Sequence, residues 1–327
     1  VNVILLGIGT LLSSWIGTTG ASMLLVRPVI KMNSWRRNKA HIMVFFIFLI
    51  SNMGGSLTPI GDPPLLMGFS RGVPFFWSIR FFPILLLNMI ILLTVLYFLD
   101  KRAYRKDIAA GYMPEIKENE PLIRFEGLHN IIFIVIIVAA VILSGVLPDV
   151  PFFQNAAGEV ISILSFKTTN PEIRKKNHFT WGAIQEVAVL FIGIFITMQP
   201  ALMILKSAGA ELGLTHPSQM FWVTGALSSF LDNTPTYLVF LTTAGSMGFV
   251  SGLTTALGIV PAKMLTAISC GAVFMGAITY IGNAPNFMVK SISDENGVKM
   301  PSFFGYIVWS LCCLVPVFLI DTLLFFI

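Results

Sequence analysis

Four stretches of this chain, 81–99, 131–147, 187–205 and 303–327, run almost without charge. Each is near the roughly 20 apolar residues that carry a helix across a bilayer. In lipid a backbone must satisfy its own hydrogen bonds, so runs of this kind fold as helices. Composition agrees, with 55% of residues hydrophobic and 11% charged, where a soluble domain has about a quarter charged. The net charge of +5 is no nucleic-acid signal, because Lys and Arg sit in short loops between apolar runs and report orientation. Cys270, Cys312 and Cys313 lie in apolar stretches, and His41, His129, His178 and His216 are scattered. Neither set makes a disulfide framework or a metal centre. No cofactor and no nucleic-acid partner are expected; the surroundings are membrane lipids. The chain starts at Val1 with no signal-peptide n-region, and it reads as a fragment with further helices upstream.

The apolar segments between these runs are interrupted. Residues 3–30 contain Ser13-Ser14, Gly17-Thr18-Thr19-Gly20 and Arg27, which fits a re-entrant hairpin better than a plain span. A helix from His41 to about Asn52 meets Gly54-Gly55, Pro59, Gly61 and Pro63-Pro64, and no helix continues through that density of Gly and Pro. A half-helix, Leu65 to Phe69, completes the crossing, and 81–99 returns. Residues 107–128 are polar and peripheral. Residues 149–166 are a weak point: the basic stretch Lys167, Arg174, Lys175 and Lys176 calls for a span there, yet Ala156 to Phe166 is too short for one, so the segment is either a partial crossing or has lost residues. Beyond 181–205 come a second hairpin, 221–243, a second broken helix, 262–289, and the last span, 303–327. Loops 31–40, 100–128 and 167–178 are rich in Lys and Arg and are expected in the cytoplasm.

Self-similarity organises these pieces. Leu12-Ser13-Ser14-Trp15-Ile16-Gly17-Thr18-Thr19 matches Leu227-Ser228-Ser229-Phe230-Leu231-Asp232-Asn233-Thr234, 215 positions on. Ile60-Gly61-Asp62-Pro63-Pro64 matches Ile281-Gly282-Asn283-Ala284-Pro285, 221 positions on. The expectation is an all-α polytopic membrane protein of two inverted repeats, each with a re-entrant helical hairpin and a broken transmembrane helix. The first repeat covers 1–100, connecting segments 101–180 and the second repeat 181–327. Broken segments at matching places in inverted halves point to a transporter's binding site. Residues 41–52 rise about 18 Å, a little over half of a roughly 30 Å core, so the break with Asp62 falls near mid-depth.

The motifs Gly17-Thr18-Thr19-Gly20-Ala21-Ser22, Ser51-Asn52-Met53-Gly54-Gly55, Thr58-Pro59-Ile60-Gly61-Asp62-Pro63-Pro64, Asp232-Asn233-Thr234-Pro235 and Gly282-Asn283-Ala284-Pro285-Asn286 resemble the ion-transporter superfamily. Within it the chain is similar to NhaD-type sodium/proton antiporters and to citrate-transporter-like (CitMHS-like) proteins of bacteria. The resemblance spans nearly the whole chain. It implies sodium binding at hairpin tips and broken helices, an elevator-like shift of one domain, a homodimer, and a place in the bacterial inner membrane. One departure matters: NhaD-type proteins carry an acid in the first hairpin, where this chain has Gly17. Fewer acids leave room for a sodium-coupled citrate or dicarboxylate carrier beside the sodium/proton antiporter.

A carboxylate at mid-membrane costs at least about 2.5 kcal/mol on insertion scales, so Asp62 is the leading ion ligand. Its bland reading is a cap on the half-helix 65–69. Asp232 and Asn233 are the next candidates, against an Asx-turn. Asn283 and Asn286 offer neutral carbonyls, or else satisfy broken backbone. Asn52, Thr58, Thr18, Thr19 and Thr234 are further possible ligands. Glu186 reads as a snorkelling interfacial residue or as part of a proton relay, Arg27 and Arg80 as interfacial anchors, and Asp321 as lying near the outer surface. Gly61-Asp62 and Pro200-Ala201-Leu202 also resemble elements of intramembrane aspartyl proteases, but position 59 is Pro, so the full Gly-x-Gly-Asp is missing.

Overall fold

Gly17 sets the first corner. Its φ of 81° lies where only glycine sits without strain, and the chain reverses there between two helices, α1 (Asn2–Ile16) and α2 (Thr18–Met32). α3 (Ala40–Leu49) follows and stops where Ser51-Asn52 and two glycines arrive. A 3₁₀ turn, Met53–Leu57, and an extended Thr58 bridge to α4 (Pro63–Ser70), which opens with two prolines. Proline suits that position, because the first turn has no intrahelical use for its N–H. A second 3₁₀ turn, Phe75–Phe81, feeds the long α5 (Phe82–Ala109).

This computed structural model describes residues 1–113, 127–146, 153–176 and 181–327. The chain forms two compact units, one of 1–118 with 202–327 and one of 119–201. The second unit holds α6 (Asn130–Val146), α7 (Phe153–Thr168), α8 (Pro171–Lys176) and most of α9 (Gly182–Ala208). Within it Asn130 ties α6 to α7 through Ser165 and Thr169. The segment singled out at 149–166 lies partly outside the described residues, as does the side chain of Glu186.

The larger unit continues with α10 (Pro217–Ser228) and α11 (Asn233–Ser246), then a short antiparallel ribbon of β1 (Leu253–Thr255) and β2 (Gly258–Val260). α12 (Ala262–Met275), a 3₁₀ turn Gly276–Ile278, α13 (Ala284–Glu295) and α14 (Phe303–Asp321) complete it. Two helices therefore break as the Gly/Pro density predicts, and the breaks match in detail. Thr58 (φ −140°, ψ 158°) corresponds to Thr279 (φ −126°, ψ 167°), and Asp62 (φ −148°, ψ 141°) to Asn283 (φ −151°, ψ 139°).

α3 and α12 form the centre, with every residue from Ile42 to Ile50 buried. Outward faces are apolar instead of polar: Ile4, Ile90 and Val308 are exposed on α1, α5 and α14. Among the described residues, Ala40–Leu57, Phe75–Ala109 and Phe303–Phe326 are long and apolar enough to cross a membrane. An apolar exterior over all-helical spans is what lipid requires, and the protein is a multi-pass helical membrane protein.

Arg36 lies in the loop between α2 and α3 but is only 4% exposed. Asp107, assigned to a peripheral polar segment, is fully buried at the end of α5. They pair, with Arg36 Nε 3.3 Å from Asp107 Oδ2, while Arg36 also donates to Asp100 and Asn38 donates to Asp107. Burial of one requires the other, because an unpaired charge there costs several kcal/mol. Asp321 is fully buried within the protein, against Asn88. Arg80 is exposed and stacks 5.6 Å from the Trp77 ring, an arrangement compatible with an anchor.

Candidate functional site

The hydroxyls of the Leu-Ser-Ser repeat hold the two breaks open. In the first half Ser13 Oγ donates to Ile50 O (2.9 Å), Ser14 Oγ to Gly54 O, and Thr58 Oγ1 to Ser14 O. In the second, Ser228 Oγ donates to Ala272 O (2.6 Å), Ser229 Oγ to Met275 O (3.0 Å), and Thr279 Oγ1 to Ser229 O. Carbonyls freed where α3 and α12 end thus find donors on the neighbouring hairpin, as buried backbone must. Glycine lets the strands of each break close up. A Cβ on Gly61 would stand 2.2 Å from Gly55 O, and one on Gly282 2.5 Å from Gly276 O.

Between the breaks lies Asp62, 1% exposed. It occupies the capping backbone position of α4 but its side chain makes no capping bond. The carboxylate instead accepts from Thr18 Oγ1 at 2.8 Å, Asn233 Nδ2 at 2.6 Å and Asn283 Nδ2 at 3.4 Å. The helix-cap reading therefore fails for this residue. For Asp232 the Asx-turn geometry is present: its Oδ1 accepts from Thr234 N, two residues on, at 2.9 Å and so caps α11 from a half-buried position.

The amides form one chain. Asn283 Nδ2 reaches Ser51 O (3.1 Å) and Asn52 Oδ1 (3.3 Å), and Asn52 Nδ2 donates to Asn286 Oδ1 (2.7 Å) and Ile47 O (2.8 Å). Asn286 turns its own Nδ2 onto Gly276 O and Thr279 O, at 2.8 and 2.9 Å. Asn52 and Asn286 thus satisfy broken backbone while lying one residue from the carboxylate's partners. Thr234 Oγ1 makes a long bond to Asn233 Oδ1, 3.4 Å. Thr58 is engaged with Ser14, and Thr19 is exposed, away from the cluster. Ser51 and Ser22, whose hydroxyls lie 2.8 Å apart, join the site unannounced. Their only signal was membership of the motifs around Asn52 and Thr18.

Thr18, Asp62, Asn233 and Asn283 each begin or cap a helix, namely α2, α4, α11 and α13. Four partly positive helix ends thus meet at this point, and the carboxyl ends of α1, α3, α10 and α12 adjoin them through the same turns. Partial charges of opposite sign at helix ends offset one another, so Asp62 is the one fully buried acidic side chain of the cluster, with Asp232 half-buried beside Asn233. No Lys, Arg or His bonds to Asp62 among the described residues.

Helices interrupted around a buried carboxylate and an amide chain, in a multi-pass bundle, are the arrangement of a membrane transporter. The sequence comparison agrees: a family model described as "Putative citrate transport" matches residues 1–326. The chain belongs to that family. No curated protein matches it at a significant level.

Proposed function

We propose that this protein is a secondary active transporter that exchanges sodium for protons at Asp62. The observation that carries the reading is a buried carboxyl group held by three neutral donors and lacking any basic partner among the described residues. Such a group needs a small cation or a proton to neutralise it. If the two compete for one carboxylate, movement of one drives the other. Asn283, Asn52, Asn233 and Thr18 would turn oxygens to a bound sodium ion, with Ser51 O adjacent. The two broken-helix halves act as inverted repeats that expose this site to each side in turn, as a homodimer in a bacterial inner membrane.

A second reading is sodium-coupled uptake of citrate or a dicarboxylate. It is favoured by the family description and by the first turn of α2, where Thr19 and Gly20 are exposed and open space surrounds Gly20. The partly positive N-terminal end of a helix suits a carboxylate. Peptide cleavage by paired aspartates gains no support, because Asp62's oxygens engage Thr18, Asn233 and Asn283.

The deciding experiment uses purified protein in liposomes carrying an imposed pH gradient. Adding NaCl should dissipate the gradient, and labelled citrate should not accumulate. Sodium-dependent citrate accumulation without gradient loss would replace the first reading with the second.

A further inference from the structure

The last span carries an acid that the exchange site does not use. Asp321 ends α14 and is fully buried. Its sole hydrogen-bond partner among the described residues is Asn88 of α5, equally buried, whose Nδ2 donates to Asp321 Oδ2 at 2.9 Å. The other oxygen of each side chain, Asp321 Oδ1 and Asn88 Oδ1, has no partner among the described residues. Buried acceptors are rarely left so, since each costs free energy on the scale of a lost hydrogen bond. An amide oxygen and an ionised carboxylate only accept, so neither can satisfy the other.

One proton removes both defects. Placed on Asp321 Oδ1, it converts that oxygen into a donor toward Asn88 Oδ1, while Asn88 Nδ2 continues to donate to Oδ2. A carboxylic acid and a primary amide then close a ring of two hydrogen bonds. We propose that Asp321 and Asn88 form a proton-binding site at the contact of α5 and α14, separate from the Asp62 cluster, holding one proton as an acid–amide ring. The proton is delivered by hydronium: one O–H bond of H₃O⁺ breaks, one O–H bond forms at Asp321 Oδ1, and a water molecule is released.

Among the described residues the surroundings supply no competing charge. On α12 the ionisable neighbour is Cys270, and Lys263 is directed to Ile327 O at 3.3 Å. α10 has no ionisable residue from Pro217 to Ser228, and the charged residues of α5 begin at Asp100, about three turns past Asn88. On α14, Cys312 and Cys313 lie two turns or more back, and Tyr306 donates to Ala277 O. Directly after Asp321 the helix widens into a π turn, Thr322–Phe326, pinned by Trp222 Nε1 donating to Thr322 Oγ1 at 2.9 Å. Such turns are frequent at functional sites.

Infrared difference spectroscopy of the full chain in liposomes, in H₂O against D₂O, reads the carbonyl stretch of a protonated carboxylic acid. The expected spectrum shows such a band in wild type and in Asp62→Asn, and loses it in Asp321→Asn. That last variant should fold, because a second amide can also donate to Asn88 Oδ1. The reciprocal exchange, Asn88→Asp with Asp321→Asn, should restore the band with the acid on the other helix, and it decides the matter should the single variant misfold. The proposal is overturned if Asp321→Asn removes an ionised-carboxylate band instead. It is equally overturned if NaCl or LiCl shifts the Asp321 signal, which would make the pair a cation site.

Discussion

Replacing Asp62 by asparagine removes one charge and keeps the side chain's shape. The three donors that converge on it, Thr18, Asn233 and Asn283, retain at least one oxygen to bond, and the Asn233 amide turns over where it meets the new NH₂. Each bond loses its charge assistance, worth on the order of 1 kcal/mol, while the penalty for burying an unpaired charge disappears. Those effects oppose each other, so the variant should insert and fold. Sodium binding does not share this compensation. At about 4 Å and an effective dielectric near 20, a unit charge pair is worth about 4 kcal/mol, so sodium should bind about a thousandfold more weakly. Proton exchange should cease, since no acid remains to trade. The assay scores sodium flux and proton flux in parallel on purified variants in proteoliposomes across pH. In wild type, apparent sodium affinity should fall about tenfold per pH unit once the site is mostly protonated, because one proton and one sodium exclude each other. Asp62→Glu should keep partial activity with altered affinity. Exchange at the wild-type rate by Asp62→Asn would refute the reasoning and move the carboxylate-carrier reading ahead.

Gly61→Ala and Gly282→Ala should each cost more than about 1–3 kcal/mol, because the new methyl meets a backbone oxygen at 2.2 or 2.5 Å; Gly20→Ala, in open space within α2, should gain up to about 1 kcal/mol. Thermal unfolding in detergent ranks the three, and equal midpoints would contradict the close approach. Arg36→Met leaves Asp107 buried without its cation and should destabilise by about 3–5 kcal/mol, partly recovered in Arg36→Met with Asp107→Asn; the same melting assay checks both. A cysteine at position 104, where Tyr104 is exposed, should resist an impermeant thiol reagent applied to intact cells, and labelling from outside would reverse the proposed orientation.

Much of the site was legible in residue order, for a physical reason. Gly and Pro act on their own backbone, so Gly17, Gly54-Gly55, Gly61 and Pro63-Pro64 announce where helices stop wherever they occur. The duplication adds a second copy of each signal, and apolar length gives the spans without reference to any neighbour. Those features alone determine a helical membrane protein with broken segments around Asp62. What each polar side chain does was decided by contacts across long separations. Asp62 and Asp232 both head a helix, yet only the fold brings Asn233 and Asn283 to Asp62, 171 and 221 positions away, and leaves Asp232 to cap its own helix. Arg36 with Asp107, and Asn88 with Asp321, are 71 and 233 positions apart. Sequence reads charge and local conformation, but whether a charge is solvated, paired or protonated depends on which distant helix packs beside it, and only tertiary structure sets that.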